Sequence, residues 1–504
     1  MSEKVLLAVN GTLMRGLELE NNLTEVGATF VKESKTEKGY RLYSINDKYP
    51  AMVKRKRGKT IAVEVYELTE EGMQQVLFKE PEGLSIEKIK LIDGQEVYGV
   101  VGNNEIVKGK KDITDYKGWR KYIANQKPIK KALPLIIKAS VVIAWVITLL
   151  ILNSLKNDPD TAETMSRTIA RWYGAVASGT SSVIPFVSFT ELFFLALFGG
   201  VVTLLVFFII DLVKKRFIKA ACRILNIGIM AVSVIGTYNL SCEAAYNRKP
   251  IPLPYSERDV ERTEYIDIFN YFANDVNYCI DHLEFSASGD VKTSMSLQDI
   301  AKEVKKAYKI IDGDPYYNPY SGSVKPMLSS FVYREFQITG LTFSPAGEAN
   351  IDTLIPVGDI PFTVAHELAH TKGVMREDEA NQLAFYVCLN SEHPLLRFSA
   401  YSRYFYLIRS MGSGTYLTDE ERTQLVTVNS SLSKFDSFSY RFWKEHDVLA
   451  KIGDFFNNLY IKSSGVSEGT TSYSGGTEYT YDPTTHKISP SKYHKLFFEK
   501  YYRV

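Results

Sequence analysis

Three apolar runs between residues 132 and 240 restrict the fold of this chain more than any other feature of its sequence. The predicted helices cover about 132–152, 191–213 and 220–240, and the first is interrupted only by Lys138. Each run is close to the roughly 20 residues that cross a lipid bilayer. The alternative is a buried core helix, chiefly for the third run, whose asparagines lower its hydrophobicity. The sequence predicts three transmembrane helices and an integral membrane protein.

Basic residues indicate how these helices cross the membrane. One cluster lies within 127–131, before the first run, and a second lies within 214–223, between the second and third runs. Lysine and arginine near membrane spans favour the cytoplasmic side. Both clusters are cytoplasmic if the first two helices form a hairpin whose loop, 156–190, lies outside. We therefore predict a cytoplasmic N-terminal domain and an extracytoplasmic C-terminal domain.

The apolar runs divide the chain into a domain at 1–125, a transmembrane region at 126–245 and a domain at 246–504. A net charge of +2 gives no indication of nucleic-acid binding. The last domain reads as mostly helical, and its Ser-, Gly- and Thr-rich segment 463–485 reads as a long flexible loop.

The four cysteines contain no C-x-x-C pair, so their spacing does not predict a cysteine zinc site. A disulfide between Cys279 and Cys388 is compatible with an extracytoplasmic location of that region. The spacing of the cysteines does not decide whether this bond forms.

The first domain shows short strand-like segments separated by Gly and Asp-Gly breaks. They lie at 6–9, 40–45, 60–68 and 96–102, where β-branched and aromatic residues are frequent. A helix is predicted at 69–78, because a threonine followed by two glutamates is a typical helix start. The domain is therefore expected to be a small α+β fold.

The segment PFTVAHELAHTKGVMREDEANQLAFYVC (361–388) carries the chemistry. On a helix, the i, i+4 spacing of His366 and His370 places both imidazoles on one face, where they can bind one metal ion. Glu367 follows the first histidine and is predicted to be the general base. Gly373 is a natural helix stop, after which the chain can return with a third ligand. This pattern predicts a Zn²⁺ site.

The third ligand is predicted among the acidic residues at 377–379. Consecutive carboxylates on a helix point in different directions, so only one can face the metal. The sequence EDEAN resembles the third-ligand helix of glutamate-zincins, in which the first glutamate binds zinc. This resemblance favours Glu377 and leaves Glu379 as the second choice.

Longer motifs resemble a bacterial family known as domain of unknown function 3810, whose members are similar to membrane-bound zinc peptidases. They are PFTVAHELAHTKGVMREDEAN, the upstream TFSPAGEANIDTLIP (342–356), the downstream HPLLRFSAY (393–401) and TYNLSCEAAYNRKPIP (237–252). The resemblance covers about 132–504. It implies a mostly α, zincin-like metallopeptidase domain in a bacterial cell membrane, with zinc as cofactor. The family itself indicates no substrate; a polypeptide substrate is expected from the peptidase interpretation of the motif.

Two parts of these motifs have a functional and a structural interpretation. GEANI (347–351) is either an edge strand that holds an extended peptide or a turn packed beside the zinc helix. Arg397, Tyr401 and Tyr404 are either donors to a developing oxyanion or packing residues of an aromatic-rich helix. The sequence leaves both questions open.

The segments NGTLMRG, GYRLYSIND (39–47), VEVYEL (63–68), KEPEGLSIEKIKLIDGQEVYGVV (79–101) and DITDYKGWRKY (112–122) resemble the C-terminal domain of allophanate hydrolases. That domain belongs to the γ-glutamylcyclotransferase-like fold, a small β-barrel with helices. The resemblance implies a ligand site whose candidate residues are Asn10, Gly11, Thr12, Leu13, Glu80 and Glu82. An asparagine replaces the tyrosine of the cyclotransferase loop, so a ligand-sensing or docking role in the cytoplasm is at least as compatible with this domain as cyclotransferase activity. The two glutamates remain alternatives for the acidic position.

Three functions are compatible with these features. The first is a membrane-anchored zinc peptidase, with Glu367 as base and with His366, His370 and Glu377 as metal ligands. The second is a transmembrane sensor with a cytoplasmic ligand-binding domain and a zinc domain that acts as receptor or effector. The third is a zinc amidase that acts on cell-wall peptides. The complete H-E-x-x-H sequence favours an enzyme.

Overall fold

A computed structural model describes residues 3–125, 128–258, 260–261, 264–410, 417–447, 449–482, 484–485 and 487–503. The chain forms two compact units, Met1–Pro134 and Leu135–Val504. Lys127 of the first basic cluster lies outside the described residues. The two units are described separately below.

The first unit is an α+β domain, as predicted. Its strands are β1 Lys4–Val9, β2 Thr29–Lys35, β3 Tyr40–Ile45, β4 Tyr49–Lys54, β5 Ala62–Thr69, β6 Leu84–Lys90, β7 Glu96–Gly102 and β8 Lys111–Asp112. Its helices are α1 Asn21–Thr24, α2 Glu70–Lys79 and α3 Trp119–Asn125. The predicted strands at 40–45 and 96–102 have the observed bounds. The helix predicted at 69–78 begins one residue later in the structure, because Thr69 is its N-cap and accepts a hydrogen bond from the Gly72 amide at 3.1 Å.

Five strands of this unit form a sheet of order β2-β5-β1-β7-β6, and three form a second sheet of order β4-β3-β8. Only β1 and β7 pair in parallel. A bridge between Thr36 and Leu91 joins the chain just beyond β2 to the chain just beyond β6. The larger sheet therefore closes on itself at one end, in the manner of a barrel.

Three long helices contain the predicted apolar runs. They are α4 Pro128–Leu155, α7 Phe189–Val213 and α8 Phe217–Ser241, with α5 Pro159–Met165 and α6 Arg171–Ser181 between the first two. Each contains 24 or 25 residues of a length and hydropathy that can cross a membrane. Of the 18 most apolar consecutive residues of each helix, at most 6% are buried. Because their apolar side chains are exposed, these segments are not buried core helices.

Contacts at the ends of α4, α7 and α8 show which connecting segments lie at the same end of these helices. Lys156, just after α4, donates a hydrogen bond of 2.7 Å to Glu243, just after α8, and both side chains are buried. Arg248 binds Glu163 of α5 at 2.8 Å. The loop between α4 and α7 therefore lies at the same end of the helices as the domain that follows α8. This arrangement is the hairpin predicted from the two basic clusters.

The remainder of the second unit is mostly helical. Its helices are α9 Tyr265–Asp281, α10 Leu297–Ala307, α11 Ser330–Tyr333, α12 Ile360–Thr371, α13 Glu377–Leu389, α14 Pro394–Ser410, α15 Asp419–Arg422, α16 Ser430–Glu445, α17 Ala450–Ser463 and α18 Lys492–Arg503. Its strands are β9 Glu284–Phe285, β10 Val291–Lys292, β11 Ser323–Pro326, β12 Gly340–Phe343, β13 Glu348–Ile351, β14 Thr480–Asp482 and β15 Lys487–Ser489. A continuous apolar core contains α9, α12, α13 and α14.

A three-stranded sheet of order β11-β13-β12 packs against α12. Neither of the two interpretations of 347–351, an edge strand or a turn, matches the structure, because β13 is the central strand of this sheet. Gly347 only begins it, at a φ of 66° that glycine adopts without strain. The alternation of polar and apolar residues in GEANI does not indicate which strands pair with it. The edge strand on one side is β12, which lies earlier in the sequence.

Buried polar contacts fix this sheet to the start of α7. The carboxylate of Glu348 accepts hydrogen bonds from the Phe189 and Thr190 amides at 3.1 and 3.0 Å, and from the Ser181 hydroxyl at 2.7 Å. Lys325, also fully buried, lies 3.8 Å from the same carboxylate. A carboxylate at a helix N-terminus is stabilised by the free amides there. The domain after α8 is thereby held against the first turn of a helix that can cross a membrane.

One further sequence expectation is not met, and one question that the sequence left open is answered. The segment 463–485 is not one long loop, because a 3₁₀ turn at Gly469–Ser474 and strand β14 lie within it. Residue 483 of this segment lies outside the described residues. All four cysteines are free thiols, so Cys279 and Cys388 form no disulfide in this structure. Both cysteines are fully buried in the apolar core, where they pack as small hydrophobic residues.

Candidate metal centre

Helix α12 places both histidines of the HELAH sequence inside the second unit. All twelve residues of this helix are buried. His366 and His370 are one turn apart and face the same side, as their i, i+4 spacing predicts. The helix ends at Thr371, and Gly373, two residues later, has a φ of 90° that allows the chain to reverse direction. Helix α13 then returns along α12, with Glu377 as its first residue.

His366, His370 and Glu377 bring three potential ligand atoms together. The Nε2 atoms of the two histidines are 3.2 Å apart. Oε2 of Glu377 lies 3.0 Å from Nε2 of His366 and 3.6 Å from Nε2 of His370. Among the described residues, these three form the group of histidine, cysteine and acidic side chains that could hold a metal ion.

The separations fit a tetrahedral zinc ion. Nitrogen and oxygen ligands about 2.1 Å from one tetrahedral ion lie about 3.4 Å from each other. The observed separations of 3.0, 3.2 and 3.6 Å lie around this value. Two imidazoles and one carboxylate also form a donor set found in catalytic zinc sites, which keep a fourth position open. These residues therefore fit the group that the sequence predicts.

Two hydrogen bonds orient the histidine rings toward this point. Nδ1 of His370 donates to the Val374 carbonyl oxygen at 2.8 Å, and Nδ1 of His366 donates to Oδ1 of Asn381 at 2.9 Å. The amide group of Asn381 is itself oriented, because its Nδ2 donates to the Tyr473 carbonyl oxygen at 3.1 Å. With a hydrogen on each Nδ1, the Nε2 lone pairs of the neutral rings are available to a metal.

Glu367 lies beside His366, His370 and Glu377, but its carboxylate contacts a different residue. Its carboxylate accepts a hydrogen bond of 2.7 Å from the hydroxyl of Thr342, on the edge strand β12. Gly340, on the same strand, leaves space for it, since a Cβ there would lie 2.5 Å from Oε1 of Glu367. Burial raises the pKa of Glu367 above its usual value. A carboxylate with a raised pKa is a better proton acceptor near neutral pH.

The charges of the three grouped residues are strongly coupled. Burial opposes the charged form of His370, but the adjacent Glu377 carboxylate outweighs it and raises the pKa of His370 to about 9. Burial likewise opposes the charge of Glu377, and the two histidines nevertheless hold the pKa of Glu377 well below its usual range. The pocket therefore attracts a cation, which is a proton when no metal is bound.

This coupling predicts that metal binding depends on pH. A histidine must lose its proton to bind a metal, so binding at neutral pH displaces the proton of His370. We expect the apparent zinc affinity of the full-length protein to rise by about tenfold per pH unit up to about pH 9. Titration against a competing chelator at several pH values measures this slope. An affinity that does not change between neutral pH and pH 9 would contradict the assigned ligand His370.

The other residues proposed from the sequence lie elsewhere. Glu379 is buried away from the histidines, where burial raises its pKa to about 7 and the Ile251 backbone is its hydrogen-bond partner. Arg397 pairs with Asp275 at 3.2 Å, and Tyr401 donates to Asp275 at 2.5 Å. Tyr404 donates to Tyr493 at 2.9 Å. Because these groups bind one another in the core, the packing interpretation is the one that fits the structure.

Three residues near the metal centre were not identified from the sequence. Asn381 follows Glu377 by one helical turn, so its proximity to the first histidine could have been inferred from helix geometry. Thr342 comes from a strand whose position no sequence pattern indicated. Tyr473 stacks on His366 with ring centroids 6.4 Å apart. It comes from the segment that was expected to be a flexible loop.

The predicted ligand loop of the first unit also lines a pocket. Asn10, Gly11, Thr12 and Leu13 lie around it together with Tyr49 and Glu80. Burial raises the pKa of Glu80 to about 7, and its Oε1 atom is buried without a hydrogen-bond partner. Glu82 is exposed and does not line the pocket. Of the two alternatives, Glu80 is therefore the acidic residue beside the loop.

Comparison with known proteins assigns a family to most of this chain. A family model described as "Protein of unknown function (DUF3810)" matches residues 165–481. Because this match covers more than half of the sequence, the chain belongs to that family. A second model, described as "Allophanate hydrolase C-terminal domain", matches residues 5–124. Both matches agree with the resemblances found in the sequence.

Two curated proteins are similar to part of this chain. The urea amidolyase of Lachancea kluyveri is 33% identical over 129 residues, and that of Saccharomyces cerevisiae is 31% identical over 134 residues. These alignments cover 24% and 25% of this chain and only 7% of each relative. The chain thus spans a small part of the length of these curated relatives.

Two solved structures show the same coverage. The structure of c4763, a uropathogenic E. coli-specific protein, is 46% identical and covers 24% of this chain and 97% of its own, with a TM-score of 0.24. The K. lactis urea amidolyase is 27% identical and covers 24% of this chain and 8% of its own, with a TM-score of 0.24.

Proposed function

We propose that this protein is a membrane-anchored, zinc-dependent peptidase with a zincin-like catalytic domain. The observation that carries the proposal is the grouping of His366, His370 and Glu377, with Glu367 one residue after the first histidine on the same helix. Zinc bound by these ligands would polarise a peptide carbonyl group and lower the pKa of water. The three helices would anchor the domain in the membrane.

The residues of the chain have distinct roles in this reaction. His366, His370 and Glu377 hold the ion, and Asn381 and the Val374 carbonyl keep the two rings in their binding orientation. The Glu367 carboxylate takes a proton from the attacking water as oxygen bonds to the peptide carbon. It returns that proton to the leaving amine when the carbon–nitrogen bond breaks. Thr342 holds the Glu367 carboxylate in place.

The edge strand β12 supports a polypeptide as substrate. On this strand Thr342 binds Glu367 and Gly340 leaves space for it, and the strand lies at one side of its sheet. An extended peptide paired with an edge strand receives main-chain hydrogen bonds along its length. Pairing with β12 would therefore bring a peptide bond close to the general base. The substrate-binding role that the sequence suggested for 347–351 belongs in this proposal to 340–343.

The positive charges indicate the orientation of the protein. The basic residues between α7 and α8, at 214–223, lie at the opposite end of these helices from the catalytic domain. With these residues in the cytoplasm, the catalytic domain lies outside a bacterial cell membrane and the first unit lies inside. The substrates would then be extracytoplasmic polypeptides.

The pocket of the first unit supports a second candidate function, the sensing of a metabolite in the cytoplasm. The unpartnered Oε1 atom of Glu80 faces a cavity lined by the Asn10–Leu13 loop. A buried carboxyl group without a partner is costly unless a ligand satisfies it. A small molecule with a hydrogen-bond donor fits this position. Such a sensor and a peptidase are compatible within one chain.

A cleavage assay tests the proposed peptidase. Full-length protein in phospholipid vesicles is expected to cleave ordinary peptide bonds in a peptide library, and to lose this activity with a chelator and regain it with zinc. Cell-wall peptides in parallel reactions distinguish the zinc amidase predicted as an alternative. Cleavage that persists in the chelator would contradict the proposal, as would hydrolysis of the cell-wall peptides alone.

A further inference from the structure

Helix α17 presents its apolar side outward. Ile452, Phe455, Phe456 and Leu459 are 48%, 63%, 62% and 58% exposed. They are spaced at i, i+3, i+4 and i+7, which places them in one stripe along the helix. In a helix of a water-soluble domain, such a stripe faces the core. Away from this stripe, Gly453 and Ile461 of α17 are buried in this domain.

A second exposed apolar group lies next to this stripe. Leu328, Phe331 and Val332 are 64%, 63% and 39% exposed. The turn at 334–336 directly follows them and packs against α17. The approach is close, since a Cβ on Gly453 would lie 2.6 Å from the Phe336 carbonyl oxygen. The two groups are therefore neighbours, and we call these seven exposed side chains together the 328/459 surface.

The 328/459 surface continues to the start of α7. The Leu328 and Ser329 amides donate hydrogen bonds of 2.7 and 3.0 Å to the carboxylate of Glu191, in the first turn of that helix. Phe193 and Phe194, one turn further, contact Phe343 of β12 with ring centroids 5.6 and 5.0 Å apart. The 328–332 part of the surface thus lies at the level where α7 begins its long apolar span.

We infer that the 328/459 surface lies in the headgroup boundary of the same lipid bilayer that α4, α7 and α8 cross. An apolar patch of this kind marks a binding surface, and a helix with an exposed apolar stripe is typical of a membrane interface. Continuity with α7 identifies the bilayer as the occupant. The inference rests on the membrane-spanning part of the proposed function and does not depend on zinc or on hydrolysis.

The buried side of α17 connects this surface to the metal centre. Asn457 donates to the Tyr473 hydroxyl at 3.3 Å, and Oδ1 of Asn458 accepts from the Thr470 amide at 3.1 Å. The carbonyl of Tyr473 in turn orients Asn381, which binds His366. A helix held in the bilayer surface would therefore also support the segment that packs over the metal centre. The polypeptides that reach this site would be segments close to the membrane.

A fluorescent label with environment-dependent emission tests this inference. Full-length protein with Cys222→Ser, which removes the one cysteine that is not fully buried, receives a single labelled cysteine by Phe456→Cys. The protein is reconstituted in vesicles of phosphatidylethanolamine and phosphatidylglycerol, with or without lipids that carry a nitroxide quencher below the headgroup. We expect the label at 456 to lose most of its emission when the quencher is present.

Two matched labels make the result decisive. Asp454→Cys places the label on the same helix, at an exposed position about 150° away from the apolar stripe, and should remain unquenched. Leu205→Cys places it within α7 and should be quenched. Equal, weak quenching at 456 and 454 with strong quenching at 205 would overturn the inference and leave the membrane anchor intact. Absence of quenching at 205 would overturn both.

Discussion

The Glu367→Gln variant is expected to retain its metal and its fold while peptide hydrolysis falls by about a hundredfold to ten-thousandfold. The amide keeps the size of the carboxylate and can still contact the Thr342 hydroxyl, which lies 2.7 Å away. It cannot accept a proton from water, which is the contribution of a general base. Initial rates on a cleaved peptide, with zinc content measured on the same samples, give both quantities.

A control variant of Thr342, which binds the Glu367 carboxylate, separates the loss of the general base from the loss of its orientation. Thr342→Val removes the hydroxyl that binds Glu367 and keeps the carboxylate, so it is expected to reduce the rate much less than Glu367→Gln. Retention of full activity by Glu367→Gln would contradict the assignment of the general base. Loss of zinc from the same variant would instead show that Glu367 is a ligand.

The second large effect concerns the third ligand. Glu377→Gln is expected to weaken zinc binding by more than about a hundredfold, since the loss of an outer hydrogen-bond partner alone costs about tenfold to a hundredfold. Glu377 Oε2 lies within 3.6 Å of both histidine Nε2 atoms, and its charge favours a cation. Chelator competition at constant pH measures the change.

Glu379→Gln is the matched control for this experiment. It makes the same substitution in the same helix turn, at a buried carboxyl group whose hydrogen-bond partner is the Ile251 backbone. Its zinc affinity is expected to equal that of the unmodified protein. If Glu379→Gln loses zinc and Glu377→Gln keeps it, the order of preference derived from sequence and structure is reversed.

The sequence was most informative where local geometry alone determines position. The spacing of His366 and His370 predicts a shared helix face, and the long apolar runs predict helices within a few residues of α4, α7 and α8. The choice of Glu377 over Glu379 came from a resemblance, and the structure places Glu377 beside the histidines. These features depend on few residues that are close in sequence.

Features that depend on contacts distant in sequence were not predicted. Thr342 lies 25 residues before Glu367, and Tyr473 packs against a histidine 107 residues earlier. The order of strands β11, β13 and β12 likewise depends on pairing that a four-residue strand does not encode. Segment 463–485 is poor in apolar residues, yet Tyr473 is held by Asn457 and by Asn381, contacts that composition cannot indicate.

The central claim is that His366, His370 and Glu377 form a zinc centre, and the metal content of the full-length protein tests it most directly. Protein purified without chelators and then exposed to zinc should contain about one zinc ion per chain. The His366→Ala, His370→Ala double variant, shown by circular dichroism to be folded, should contain almost none. Absence of zinc from the unmodified protein, or equal zinc content in the two proteins, would contradict the account.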